Sequence, residues 1–223
     1  MNAVVIVAGG AGRRMGGTIP KQYLELYGKA LILHTMDRFL QFDPDMEIVL
    51  VLAGEHRKYW DSIPGSQKPS KEIIITTGGN TRFNSVKNGL MFIDDGVIAG
   101  IHDAVRPFVS IGTIRKCYET AGEHGSAIPV IEMDETIRRI GPGSHSEILD
   151  RSTLRRVQTP QVFRSEMIKK AYARTNDPSF TDDASVFESV YKSVKLVEGN
   201  IENIKITSPT DYKLALLLMD SKE

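Results

Sequence analysis

Short runs of consecutive apolar, largely β-branched residues punctuate the first two-thirds of the chain, at 3–7, 47–52, 73–76, 97–102 and 127–131. Runs of this length without polar alternation predict strands covered on both faces. Between them the apolar positions recur at helical spacing. Leu31, His34, Thr35, Phe39 and Leu40 form one stripe, residues 82–92 carry Val86, Leu90 and Met91 on one side, and residues 111–124 form a third. Repeated strand–helix units predict an α/β fold: a three-layer α/β/α sandwich around a mostly parallel sheet. In such sheets ligands bind at the carboxyl ends of the strands.

The pattern changes from about 133 to 160. Asp134–Ile140 and Glu147–Arg156 are charged and partly alternating, and Gly141-Pro142-Gly143 lies between them. This predicts a β-hairpin arm. It has too few apolar residues for a core of its own, so it needs a partner surface, and a second copy of the chain is the simplest one. One domain over 1–223 with a dimerisation arm is therefore expected. Residues 203–207 read as a short strand, and 211–219 as an amphipathic helix packing back on the sheet.

Composition narrows the function. Lys plus Arg and Asp plus Glu both number 28, which leaves no net charge to draw the chain to nucleic acid or an anionic membrane. The single cysteine, Cys117, excludes an internal disulfide, which fits a reducing cytoplasm, and it sits in a helical stripe as a packing residue. No secretory leader and no apolar run of membrane-spanning length is expected.

The candidate chemistry starts where the first strand ends. Ala8-Gly9-Gly10-Ala11-Gly12-Arg13-Arg14-Met15 is followed by Pro20-Lys21. Glycines let the backbone approach a ligand with its N–H groups, arginine grips phosphate by paired hydrogen bonds, and lysine adds a point charge. The segment reads as a cradle for a nucleoside triphosphate, against the alternative of a charged surface turn. It is neither a dinucleotide fingerprint, since Met15 stands at the third glycine of G-x-G-x-x-G, nor a P-loop, since Lys21 lies between Pro20 and Gln22. Gly78-Gly79-Asn80-Thr81-Arg82-Phe83-Asn84-Ser85 opens the helix after the third strand; it offers donors to a base or ribose, or Asn80 and Thr81 simply cap the helix. His102-Asp103-Ala104-Val105-Arg106-Pro107 ends the fourth strand. Asp103 suits Mg²⁺ or a ligand hydroxyl and Arg106 suits phosphate, or the two merely tie down the turn; His102 reads as a core histidine. Thr181-Asp182 reads as a helix cap, and Lys205 by itself as a solvated lysine. No zinc-like spacing and no paired nucleophile and base occur. An inventory of arginine, lysine and backbone donors suits displacement at phosphorus.

Together these segments, with Pro20-Lys21-Gln22-Tyr23-Leu24, Asp134-Glu135-Thr136, residues 158–163, 181–188 and 203–211, resemble the cytidylyltransferases of the 2-C-methyl-D-erythritol 4-phosphate family, almost end to end. The resemblance implies a Rossmann-like, nucleotide-diphospho-sugar transferase-like fold. It implies transfer of CMP from CTP, with Mg²⁺, to a polyol phosphate in non-mevalonate isoprenoid synthesis, and pyrophosphate as the leaving group. Arg14 and Lys21 would stabilise the pentavalent α-phosphorus, and Arg151 and Lys205 would position the acceptor phosphate. Ala8, Gly9, Gly10 and Gly12 would line the triphosphate, while Gly79, Arg82 and Ser85 would hold cytosine and ribose. Asp103, Arg106 and Thr136 would contact the sugar phosphate, with Thr136 and Arg151 reaching over from the partner of a homodimer. Because the attacking group is already an oxyanion, no general base is needed. Ala8-Gly9-Gly10 and Val105 depart from the family's commonest pattern toward sister enzymes that use ribitol 5-phosphate, whereas residues 181–185 and 203–209 follow the methylerythritol enzymes. A nucleotide sensor without catalysis is a further alternative; it has no need of Arg14, Lys21 and Lys205. An NAD-linked oxidoreductase would require the missing fingerprint; Glu55 and its neighbours stand near the second strand, where an acid would hold the ribose, but no glycine pattern supports them.

Overall fold

A computed structural model describes residues 1–10, 19–175, 177 and 179–220. β1 (Asn2–Ala8) leads to a two-stranded hairpin, β2 (Glu25–Leu26) and β3 (Lys29–Ala30), then α1 (Leu31–Phe42), β4 (Glu47–Leu52) and the short α2 (Arg57–Ser62). β5 (Ile74–Thr77), α3 (Arg82–Leu90), β6 (Ile98–Asp103), α4 (Ile111–His124) and β7 (Ser126–Glu132) complete the strand–helix repeats. The arm strands β8 (Ile137–Ile140) and β9 (Ser146–Leu149) come next, followed by β10 (Arg155–Val157), β11 (Gln161–Arg164), α5 (Ser165–Arg174), α6 (Asp183–Tyr191), β12 (Leu196–Glu198) and α7 (Pro209–Asp220).

The main sheet runs β10-β7-β11-β6-β1-β4-β5, and β12 pairs with β7. β1 is parallel to both β4 and β6, with Ala8 opposite Leu52 and Val7 opposite Asp103. Side chains along β1 alternate between two cores. Val4, Ile6 and Ala8 meet α1 and α4, while Ala3 and Val5 meet α3, α5 and α6. This is the expected three-layer arrangement. Gly89 of α3 shows how closely the layers approach, since a Cβ there would lie 2.5 Å from Val5 Cγ1. Strand order reverses between β1 and β6, and the crevice at their carboxyl ends is where such a sheet holds a ligand. α4 keeps its expected limits because Ser110 caps its start through the Thr113 N–H and Gly125, at φ 91°, ends it. No helix among the described residues is long and apolar enough to cross a membrane.

Four expectations change. β11 is an antiparallel strand inserted between β6 and β7, so the sheet is mixed at this end. The arm is shorter than 133–160: its hairpin is β8 and β9, and β10 returns to pair with β7 in the sheet. Residues 203–207 form no strand. The segment's backbone makes two local hydrogen bonds, Asn203 N–H to Asn200 O and Ile204 N–H to Glu202 O, and one to a distant loop, Ile206 N–H to Val105 O at 3.0 Å, with Asn203 and Ile206 both buried. α7 packs not on the main sheet but over a third cluster of Leu26, Leu31, Val105, Phe108 and Ile206.

Candidate active site

A cavity of about 350 Å³ opens at the strand-order reversal. Ala8, Gly9 and Gly10 form one side, Gly79, Arg82 and Ser85 another, and Lys21, Asp103 and Lys205 close it. A second cavity of about 340 Å³ shares Arg82, Asp103 and Lys205 with the first and adds Arg106, Gln158, Thr159, Thr181 and Asp182. Two adjoining chambers thus meet at one carboxylate and its cations. Gly12 and Arg14 lie outside the described residues.

Asp103 is the hub. It is buried, and its Oδ2 accepts from Lys205 Nζ and Arg106 Nε, both at 3.0 Å, while Oδ1 lies 4.0 Å from Arg82 Nε. Burial alone would raise its pKa. The charges of Lys205, Arg82 and Arg106, with the Lys205 hydrogen bond, outweigh that and hold it well below the usual carboxylate range. Arg106 also donates from Nη1 to Asn203 O at 2.8 Å, so it does tie down its turn while lining the second cavity. His102 behaves as the core residue expected. Its Nδ1 pairs with Thr159 Oγ1 at 2.9 Å and its Nε2 with Arg106 O at 3.2 Å, and burial lowers its pKa to about 4.

Thr81 and Ser85 both make hydrogen bonds within their own segment, and the capping reading holds for Thr81. Thr81 Oγ1 caps α3 by accepting from Asn84 N–H at 3.1 Å, while Ser85 Oγ accepts from Gly79 N–H at 3.1 Å and donates to Thr81 O at 2.9 Å. Gly79 has a packing reason too, because a Cβ there would sit 2.4 Å from Asn84 Cβ. Among the described residues, by contrast, a Cβ on Gly10 would meet nothing within 4 Å, and one on Gly9 would meet Ser85 Oγ at 3.6 Å.

Arg82 is placed on the cavity wall, with both Nη groups on Asp183 at 2.8 and 2.6 Å. Asp183 is fully buried and also accepts from Tyr172 OH at 2.6 Å. Burial would lower the Arg82 pKa, but Asp183 more than compensates and raises it. Gln161 fixes this corner, since its Oε1 accepts from Asp183 and Ala184 N–H and its Nε2 donates to Asp182. Asp183→Asn would keep the shape and leave a largely buried guanidinium with only the more distant Asp103 as a counter-charge. The expected cost is about 3–5 kcal/mol of folding stability, read as a lower urea midpoint. An unchanged midpoint would mean that the pair contributes nothing.

Thr136 and Arg151 line neither cavity of their own chain. Thr136 is exposed ahead of β8, and Arg151 Nη1 donates to Asp134 O at the base of the arm. The roles of Asp183, Tyr172 and Gln161 are not legible in sequence, because they arise from contacts between residues on separate elements.

For Mg²⁺ the donor set is sparse. No group of three or more His, Cys, Asp or Glu among the described residues could hold an ion. Among the described residues Asp103 is the one carboxylate of the first cavity; its Oδ2 is engaged by Lys205 and Arg106, which leaves Oδ1, and Mg²⁺ commonly takes one or two carboxylates with substrate phosphates and water. Asp103 therefore fits an ion that arrives with a triphosphate.

The family model described as 2-C-methyl-D-erythritol 4-phosphate cytidylyltransferase matches residues 2–221. A protein of that name from Bacteroides thetaiotaomicron is 45% identical over 217 residues, covering 97% of this chain and 99% of the relative. Two crystal structures share the fold. That of the 4-diphosphocytidyl-2C-methyl-D-erythritol synthase from Anaerococcus prevotii has a TM-score of 0.85 at 26% identity, covering 99% of this chain and 96% of that one. That of the 2-C-methyl-D-erythritol 4-phosphate cytidylyltransferase from Thermus thermophilus has a TM-score of 0.75 at 30% identity, covering 99% and 100%. A match that spans the elements around both cavities, and not the cradle alone, leads to one assignment: the chain belongs to the 2-C-methyl-D-erythritol 4-phosphate cytidylyltransferase family.

Proposed function

We propose that the chain transfers CMP from CTP to 2-C-methyl-D-erythritol 4-phosphate and releases pyrophosphate. The observation that carries this reading is the pair of chambers joined at Asp103, Lys205 and Arg82, one with a glycine-lined cradle and Lys21, the other with Arg106 and polyol-compatible Thr159, Thr181 and Asp182. An oxygen of the acceptor phosphate attacks the α-phosphorus of CTP. The bond from that phosphorus to the bridging oxygen breaks, and the electron pair leaves on pyrophosphate. No proton has to move, so the protein's task is to bring two anions together and stabilise charge. Lys21 and Arg14 serve the α-phosphorus, and Lys205 and Arg106 the incoming phosphate. Gly79 and Ser85 border the base and ribose, with Arg82 as a fixed wall. Asp103 would hold Mg²⁺, which supplies charge neutralisation to the triphosphate when bound. We also infer a cytoplasmic homodimer in which Thr136 and Arg151 of each arm complete the other subunit's site.

The test is pyrophosphate release with CTP and Mg²⁺, comparing methylerythritol 4-phosphate with ribitol 5-phosphate. Preference for methylerythritol phosphate is expected, in keeping with the family model and the curated relatives. Preference for ribitol phosphate would refute the acceptor and keep the chemistry, while silence with both would favour a sensor.

A further inference from the structure

Lys21 stands on a single turn of 3-10 helix, Lys21–Tyr23, which has no side-chain cap. A turn this short does not hold its own position. The residue after the lysine supplies the anchor. Gln22 is buried, and its Nε2 donates to Ala8 O at 2.7 Å, the last residue of β1 and part of the nucleotide cradle. The same Nε2 lies 3.0 Å from His56 Nδ1, and His56 is buried in the loop after β4.

The roles of these atoms are fixed by elimination. Ala8 O can only accept, so the Gln22 amide must present its nitrogen there; the flipped amide would set two acceptors against each other. The second Gln22 N–H then faces His56 Nδ1, which must carry a lone pair, and the ring proton belongs on Nε2. His56 is itself held. Tyr23 OH donates to His56 O at 3.2 Å, and Tyr23 stacks on Tyr59 with ring centroids 5.5 Å apart. The catalytic turn, the end of β1 and the loop after β4 are thus tied through one amide.

We infer that His56, through Gln22, is a positioning residue for Lys21: it holds the lysine-bearing turn against the cradle so that the ammonium meets the α-phosphorus. This rests on the reaction proposed above. His56 lies outside every motif quoted for the site.

The test uses the intact protein and steady-state cytidylyl transfer, with thermal melts to verify folding. His56→Ala is expected to lower kcat about ten- to a hundred-fold with little change in the KM for CTP, since small misplacement of a reacting group costs this much. His56→Asn places an acceptor near the Nδ1 position and should restore most of the loss. His56→Gln, which reaches the Nε2 position, should not. In a Lys21→Ala background, His56→Ala should cost little more, because the group it positions is gone. The same fractional loss in both backgrounds, or an asparagine variant as poor as alanine, would overturn the inference. Wild-type turnover that His56→Ala leaves intact would refute the inference alone, and absence of wild-type turnover would refute the reaction and the inference with it.

Discussion

Lys21→Ala is expected to lower kcat by about a hundred- to a thousand-fold while the affinity for CTP falls by less than about tenfold. The asymmetry follows from where charge develops. In the proposed ground state the backbone around Gly9 and Gly10, which lines the cavity, would meet the triphosphate, and that contact would survive the substitution. In the transition state negative charge grows on the oxygens around the α-phosphorus and on departing pyrophosphate. A cation fixed beforehand in a partly enclosed cavity acts on that charge without reorganising. Steady-state kinetics with calorimetric CTP titration separates the two quantities. A turnover within about threefold of wild type would remove Lys21 from the chemistry. A loss of affinity with kcat unchanged would make it a binding residue alone.

Much of the fold was legible because its signals are local. The runs at 47–52 and 97–102 are buried on both faces and announce themselves by composition, and Ser110 and Gly125 bracket α4 by their cap chemistry. β11 and β12 are four and three residues long, and buried Gln161 breaks the apolar pattern of β11, so neither stands out. Residues 203–207 alternate in the manner of a strand but meet no ladder partner, and Asn203 is buried for its hydrogen bonds to Thr159 O and Gln158.

The site divides the same way. Gly9, Gly10, Lys21 and Asp103 follow from chemistry concentrated in motifs and Lys205 from the family resemblance alone, and the fold brings all five to one cavity. What sequence spacing hides is pairing at long range. Arg82 meets Asp183 across 101 positions, and Gln22 meets His56 across 34. Only the packed sheet brings such partners together. Arg82, read by itself, is one more donor for a base or ribose, whereas in the fold its charge is already balanced by a buried carboxylate.

Mixing a Lys21→Ala chain with an Arg151→Ala chain is expected to restore activity that neither has alone. Arg151 and Thr136 lie on the arm and line neither cavity of their own protomer. The arm itself is a mostly exposed two-stranded hairpin, with Ile140 and Ile148 69% and 66% exposed. Such a ribbon is marginal in water without a surface to cover it. If each arm completes the other subunit's site, a mixed dimer carries one site with both substitutions and one site with neither. Random pairing of equal amounts makes half the dimers mixed, so about one quarter of the wild-type activity should return after subunit exchange. If Arg151 instead served its own protomer, every site in every dimer would lack one cation, and exchange would restore nothing. The readout is cytidylyl transfer before and after exchange, with mixed dimers quantified by differently tagged chains. No recovery in a verified mixed population would return Arg151 to its own subunit and leave the arm as a dimer contact without a catalytic role.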